Sequence, residues 1–113
     1  MTGEATPFGK FLERWQWPNG WEQYVLRCPG CQCTHAVTTK RPGEGAGKSD
    51  AVWGFNNNPE LPTFTPSLLA YNDQRRCHSF ITNGAIQYLS DCTHELAGKT
   101  ISMVPFAPQE AVV

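Results

Sequence analysis

Two runs of alternating apolar and polar residues, Cys77 to Thr82 and Ala85 to Leu89, flank the dipeptide Asn83-Gly84. Asn-Gly is the strongest two-residue hairpin signal, because a type I′ turn needs positive φ at both central positions. The register follows from the turn. Thr82 faces Ala85, Ile81 faces Ile86, Phe80 faces Gln87, Ser79 faces Tyr88, His78 faces Leu89 and Cys77 faces Ser90. Alternation puts Cys77, Ser79, Ile81, Ile86, Tyr88, Ser90 and, by extension, Cys92 on one face. His78, Phe80, Thr82, Ala85, Gln87, Leu89 and Asp91 take the other.

The rest of the chain also reads as short strands and turns. Trp21 to Arg27 alternates, with Trp21, Gln23 and Val25 against Glu22, Tyr24 and Leu26, and runs into Cys28-Pro29-Gly30-Cys31. His35 to Thr39 is the return strand, and Val52 to Phe55, Ser67 to Tyr71 and Thr100 to Val104 are further candidates. Phe11 to Trp17 reads as a short helix or turn stopped by Pro18-Asn19-Gly20. Pro62 and Pro66 hold Thr63-Phe64-Thr65 extended, which suits a sheet edge or an ordered loop. Residues 40–50 form a polar, Gly-rich surface loop. Its Gly45 to Ser49 segment lacks the first glycine of a phosphate loop and any helix pattern after it. Ten Gly and nine Pro in 113 residues fit this reading better than long helices. The expected fold is mainly β: one small domain built on an antiparallel sheet or partial barrel, with a zinc-ribbon-like cysteine turn and little helix. Residues 1–20 read as an N-terminal extension, 21–104 as a metal-binding β-domain and 105–113 as a loose tail.

A net charge of −1 argues against a nucleic-acid or anionic-membrane footprint. No apolar run approaches the ~20 residues that span a bilayer. Met1 to Lys10 has no apolar segment of the kind that directs export, so the expected location is the cytoplasm. There the five cysteines, an odd number, favour metal or reactive thiols over a disulfide framework.

The hairpin register makes Cys77 and Cys92 diagonal neighbours on one face, about 7–8 Å apart at the backbone. Two thiolates on one zinc ion need sulfurs about 4 Å apart, and small tilts close that gap. With Cys28 and Cys31 from the turn they make a four-cysteine site. Cys28-x-x-Cys31-x-x-x-His35 also permits His35 as a third ligand instead of a hairpin cysteine. His78 points away from Cys77, so a second, open site can combine His78 and Asp91 with His94 or His35. Glu95, next to His94, is a candidate general base near a metal-bound water. Cys33 reads as a bystander. A thioredoxin-like redox pair is disfavoured, since the sequence after Cys31 does not read as a helix.

Several segments are familiar as a series: Cys28-Pro29-Gly30-Cys31, His35-Ala36-Val37, Trp53-Gly54-Phe55-Asn56, Pro62-Thr63-Phe64-Thr65-Pro66-Ser67-Leu68, Cys77-His78-Ser79-Phe80-Ile81, Asn83-Gly84, and Leu89-Ser90-Asp91-Cys92-Thr93-His94. In this order, over about residues 21–104, they resemble a family of small tailed-phage and prophage proteins. Its members often carry the label ammonia monooxygenase, which their size makes implausible. That family is similar to the BubE-type domains of bacterial ubiquitin-like conjugation operons. The resemblance implies metal binding and a metal-dependent peptidase role. It points to Cys28, Cys31, His35, Cys77, His78, Cys92 and His94 as the polar positions of interest.

Two functions compete. One is a zinc-stabilised interaction module that engages a host or phage protein, with Trp15, Trp17, Trp21 and Trp53 available as contacts. The other is a metal-dependent hydrolase of peptidase type, with the ion activating water and with His78, Asp91, His94 and Glu95 as candidate catalytic groups. Zn²⁺ is the expected ion in both.

Overall fold

The structure, a computed structural model, describes residues 3–42 and 51–106. Every regular element among them is a strand, and no helix there is long and apolar enough to cross a membrane. The chain forms two antiparallel meanders. The first sheet contains β1 (Glu4–Phe8), β2 (Leu12–Gln16), β3 (Glu22–Cys28) and β4 (Cys33–Lys40), in that order. The second contains β5 (Gly54–Phe55), β6 (Phe64–Tyr71), β7 (Arg76–Thr82), β8 (Ala85–Tyr88) and β9 (Thr100–Ser102), again in chain order. The expected mainly-β domain of antiparallel sheets is therefore what forms.

Both sheets bury one face. Glu22, Tyr24, Leu26 and Cys28 alternate inward along β3, and Cys77, Ser79 and Ile81 do so along β7. Leu12, Leu26 and Val37 of the first sheet join Phe64, Ile81, Ile86 and Tyr88 of the second in one core. Burying each such side chain stabilises the fold by roughly 1.5–3 kcal/mol. Aromatic rings knit the sheets together: Tyr24 lies 4.6 Å from Phe55, and Phe55 stacks on Phe64 at 4.4 Å.

The hairpin register is the one read from Asn83-Gly84, from Thr82↔Ala85 to Ser79↔Tyr88. Both turn residues take positive φ, 49° and 78°. Two other expectations are corrected. Residues 12–16 form a strand rather than a helix or turn. Gly9, at φ 70°, reverses the chain so that β2 pairs with β1 on one side and β3 on the other. Long-range pairing and the burial of Leu12 override the local preference. The segment read as an extension thus supplies two strands of the first sheet. Phe64 and Thr65, expected at an edge or in a loop, lie on β6, which has β5 on one side and β7 on the other. The sheet accommodates Pro66 through an irregularity. Phe64 pairs with Ile81 and the next pair is Leu68 with Ser79, so Thr65, Pro66 and Ser67 stand opposite Phe80 alone. Proline has no N–H to give the ladder, and such bulges turn side chains toward sites. The Gly45–Ser49 segment and residues 107–113 of the tail lie outside the described residues.

Candidate functional site

The cysteine cluster sits where the two sheets meet at one end. β3 delivers Cys28, which is 1% exposed. The Pro29-Gly30 turn swings Cys31 back, the Cys31 N–H donates to Cys28 Sγ at 3.4 Å, and the Gln32 N–H donates to the Cys28 carbonyl at 2.8 Å. β4 brings His35, and β7 brings Cys77 with its sulfur 3.9 Å from that of Cys28. Ligand atoms of Cys28, Cys31, His35 and Cys77 all lie within 4.8 Å of one another. Bonds near 2.3 Å to a tetrahedral ion put sulfurs about 3.8 Å apart, so the spacing suits one ion.

The chemistry of the donors agrees. The hydrogen bond with Cys77 is the largest influence on Cys28 and lowers its thiol to about 3, against burial. Cys77 is driven far above its ordinary range by the same bond and then by burial. Burial, then the Cys28 charge, raises Cys31 to about 11. Three crowded thiols thus hold one negative charge among them, a conflict that a divalent cation removes. His35 Nε2 is buried without a partner of hydrogen-bond geometry, although its ring is near enough to Cys28 to help lower that thiol. An orphaned imidazole nitrogen among thiols is what a metal ligand looks like without its metal.

Cys92 falls in a different grouping, with Cys77 and His94. Its sulfur lies against the backbone of β7: the His78 N–H donates to Cys92 Sγ at 3.2 Å, and the Cys92 thiol donates to the His78 carbonyl at 3.3 Å. His94 Nε2 lies 3.4 Å from Cys77 Sγ, and the imidazole packs against the turn where a Cβ on Gly30 would collide with it. Glu95 is exposed and belongs to neither grouping. Cys33 is also exposed and in neither. Cys33→Ser is therefore expected to change stability by no more than about 0.5 kcal/mol, measured by denaturant unfolding.

His78 belongs to another constellation, on the outer face of the second sheet. Leu68 points inward, so Ser67 and Leu69 point outward, and Leu69 pairs with His78. The β6 bulge brings Ser67 to the imidazole, with Oγ 3.0 Å from His78 Nε2. β8 ends at Tyr88, and the Leu89 N–H still donates to the His78 carbonyl at 2.9 Å. The chain then turns, placing Asp91 Oδ2 3.2 Å from His78 Nδ1. Ser67, His78 and Asp91 thus form an unbroken hydrogen-bonded line. The Trp53 indole N–H fixes the Ser67 carbonyl at 3.1 Å, and Arg76 Nη1 lies 3.5 Å from Asp91 Oδ2.

Directions along the line follow from the carboxylate. Desolvation tends to raise Asp91, but its hydrogen bonds from His78 and a backbone N–H, with the nearby Arg76 charge, prevail and lower it. An ionised Asp91 only accepts, so His78 Nδ1 carries the proton. In the neutral imidazole Nε2 is then bare and accepts the Ser67 hydroxyl. This is the geometry of a nucleophile, a base and a group that orients the base.

The hairpin register anticipated His78 and Asp91 on one face. Ser67 had no chemistry assigned to it in the sequence. It lies in no Gly-x-Ser-x-Gly turn, and its one signal is its place after Pro66, where a regular ladder has to break.

A family model for BubE, described as a bacterial ubiquitination-like system serine protease, matches residues 9–89. The match takes in Ser67, His78, Cys28, Cys31, His35 and Cys77 and ends before Asp91. It begins earlier than residue 21, so β2 belongs to it. That description names a serine protease, where the resemblance implied a metal-dependent peptidase. No curated protein and no solved structure matches the chain. With most of its length matched, from β2 through β8 and including the turn between the cysteines, the chain belongs to the BubE family.

Proposed function

We propose that this domain is a serine hydrolase of the peptidase class, built on a fold that a structural zinc ion stabilises. The observation that carries the reading is the line Ser67 Oγ–His78 Nε2, 3.0 Å, and His78 Nδ1–Asp91 Oδ2, 3.2 Å. The description of the family as a serine protease supports it. In this reading Ser67 Oγ attacks the scissile carbonyl carbon while His78 Nε2 takes the hydroxyl proton. Asp91 holds the imidazole in the required tautomer and balances the imidazolium charge. His78 returns the proton to the amine as the C–N bond breaks. Water, deprotonated by His78, then cleaves the acyl ester and restores Ser67.

Cys28, Cys31, His35 and Cys77 would hold the ion. Three thiolates and an imidazole suit zinc, and four protein donors leave no position for an activated water. The ion is therefore structural, and the chemistry belongs to the serine. The expected role as a protein-interaction module persists within this reading, because a peptidase binds a protein segment before it cuts it.

The test is covalent labelling of the purified protein with a fluorophosphonate, followed by peptide mass mapping. The expected result is a single adduct on Ser67 that disappears in His78→Ala. A correctly folded wild-type protein left unlabelled would sink the proposal.

A further inference from the structure

The face that carries the Ser67 line is unusually apolar, and this deepens the reading just proposed. Among the described residues, the large apolar side chains left exposed are Val52, Leu61, Leu69, Tyr71 and Phe80. Leu69, Tyr71 and Phe80 fall on the outer face of the second sheet with His78. Leu69, 44% exposed, is the direct cross-strand partner of His78. Such partners have Cβ atoms about 4.5–5.5 Å apart. Phe80, 40% exposed, lies two residues from His78 on the same strand, about 6.6–6.8 Å along the same face. Tyr71, 70% exposed, lies two residues beyond Leu69 and opposite Arg76. Apolar surface gathered around a nucleophile and its base marks a binding surface.

The charges on this face are already engaged. Arg76 lies 3.5 Å from Asp91, and its guanidinium sits over the Tyr71 ring at 6.0 Å. Asp91 in turn receives His78. Each of these charges therefore already has a partner of opposite sign or an aromatic face within the surface. The spacing indicates the shape of the occupant. Leu69 and Tyr71 repeat every second residue along β6, and an extended peptide presents alternate side chains to one side at the same interval.

We infer that the substrate is an extended peptide with a large apolar side chain beside the scissile bond, seated on Leu69 and Phe80. The inference rests on the serine-hydrolase reading, and its test separates the two. Internally quenched peptides identical except beside the cleaved bond would carry Leu, Phe, Gly, Asp or Lys there. The Leu and Phe peptides are expected to exceed the others in kcat/KM by about 10-fold or more, the range that small changes in apolar contact produce. Leu69→Ser and Phe80→Ser are each expected to reduce that preference, chiefly through KM, while the fluorophosphonate still marks Ser67. Leu61→Ser, an exposed apolar change beside the Asn83-Gly84 turn rather than beside His78, should leave the preference intact. Both face positions are solvent-exposed, and circular dichroism checks that the variants fold. Equal cleavage of all five peptides, a preference for Asp or Lys, or hydrolysis of simple esters with no peptide cut would overturn the inference while labelled Ser67 stands. Absence of labelling would remove the underlying reading instead.

Discussion

Ser67→Ala is expected to lower kcat/KM for peptide cleavage by on the order of 10⁴-fold or more, with little change in thermal stability. The side chain is half-buried, and the substitution removes one hydroxyl from a bulge that Pro66 and the Trp53 hydrogen bond continue to shape. His78→Ala should cost about as much, and the double variant little more than either single one, because members of a catalytic unit fail together. Asp91→Asn should cost less than either. The Asp91 side chain is 43% exposed, so water can stand in for part of what the carboxylate supplies to the imidazolium. Steady-state kinetics on the three single variants and the Ser67/His78 double variant checks the ordering. Additive losses, or a Ser67→Ala enzyme that still cuts peptides, would contradict a shared mechanism.

Cys28→Ser, or removal of the ion with a strong chelator, is expected to destabilise the fold by several kcal/mol. Structural zinc contributes its binding energy to folding because the unfolded chain has no preformed site. The candidate ligands come from β3, the turn after it, β4 and β7, so an ion held there would tie the first sheet to the second. After chelation the three thiols keep the charge conflict described for the cluster, inside a core where Cys28 is 1% and Cys77 3% exposed. Elemental analysis of the purified protein and thermal unfolding with and without chelator measure this. One equivalent of zinc and a large drop in Tm are expected. A protein that carries no metal and is indifferent to chelator would refute the structural ion and leave the fate of Ser67 to the labelling experiment.

Much of the second sheet was legible because its determinants are local. Asn83-Gly84 sets the turn, the turn sets the register, and the register sorts Cys77 from His78. The cysteine turn was equally legible, since two sulfurs separated by Pro-Gly have few other uses. The partners of that turn were only partly legible. His35 was one of two readings, and the choice between it and Cys92 depends on how β3 and β4 sit against β7, which no short-range pattern encodes. β2 was misread for the same reason, because its strand character comes from its neighbours on both sides. Ser67 was the largest omission. A serine is among the least informative residues in a sequence, and its role here comes from three residues of β6 standing opposite one of β7.

Two members of the Ser67–His78–Asp91 line are each one peptide bond from a sulfur: Cys77 precedes His78, and Cys92 follows Asp91. The Cys92 thiol also grips the His78 backbone from both sides. The alignment of His78 with Asp91 is therefore only as stiff as the sulfur framework behind it. Displacing a reacting group by about 1 Å can cost about 10²-fold in rate. If the proposed hydrolase reading holds, turnover should therefore decline under conditions that loosen the cysteines before either sheet melts.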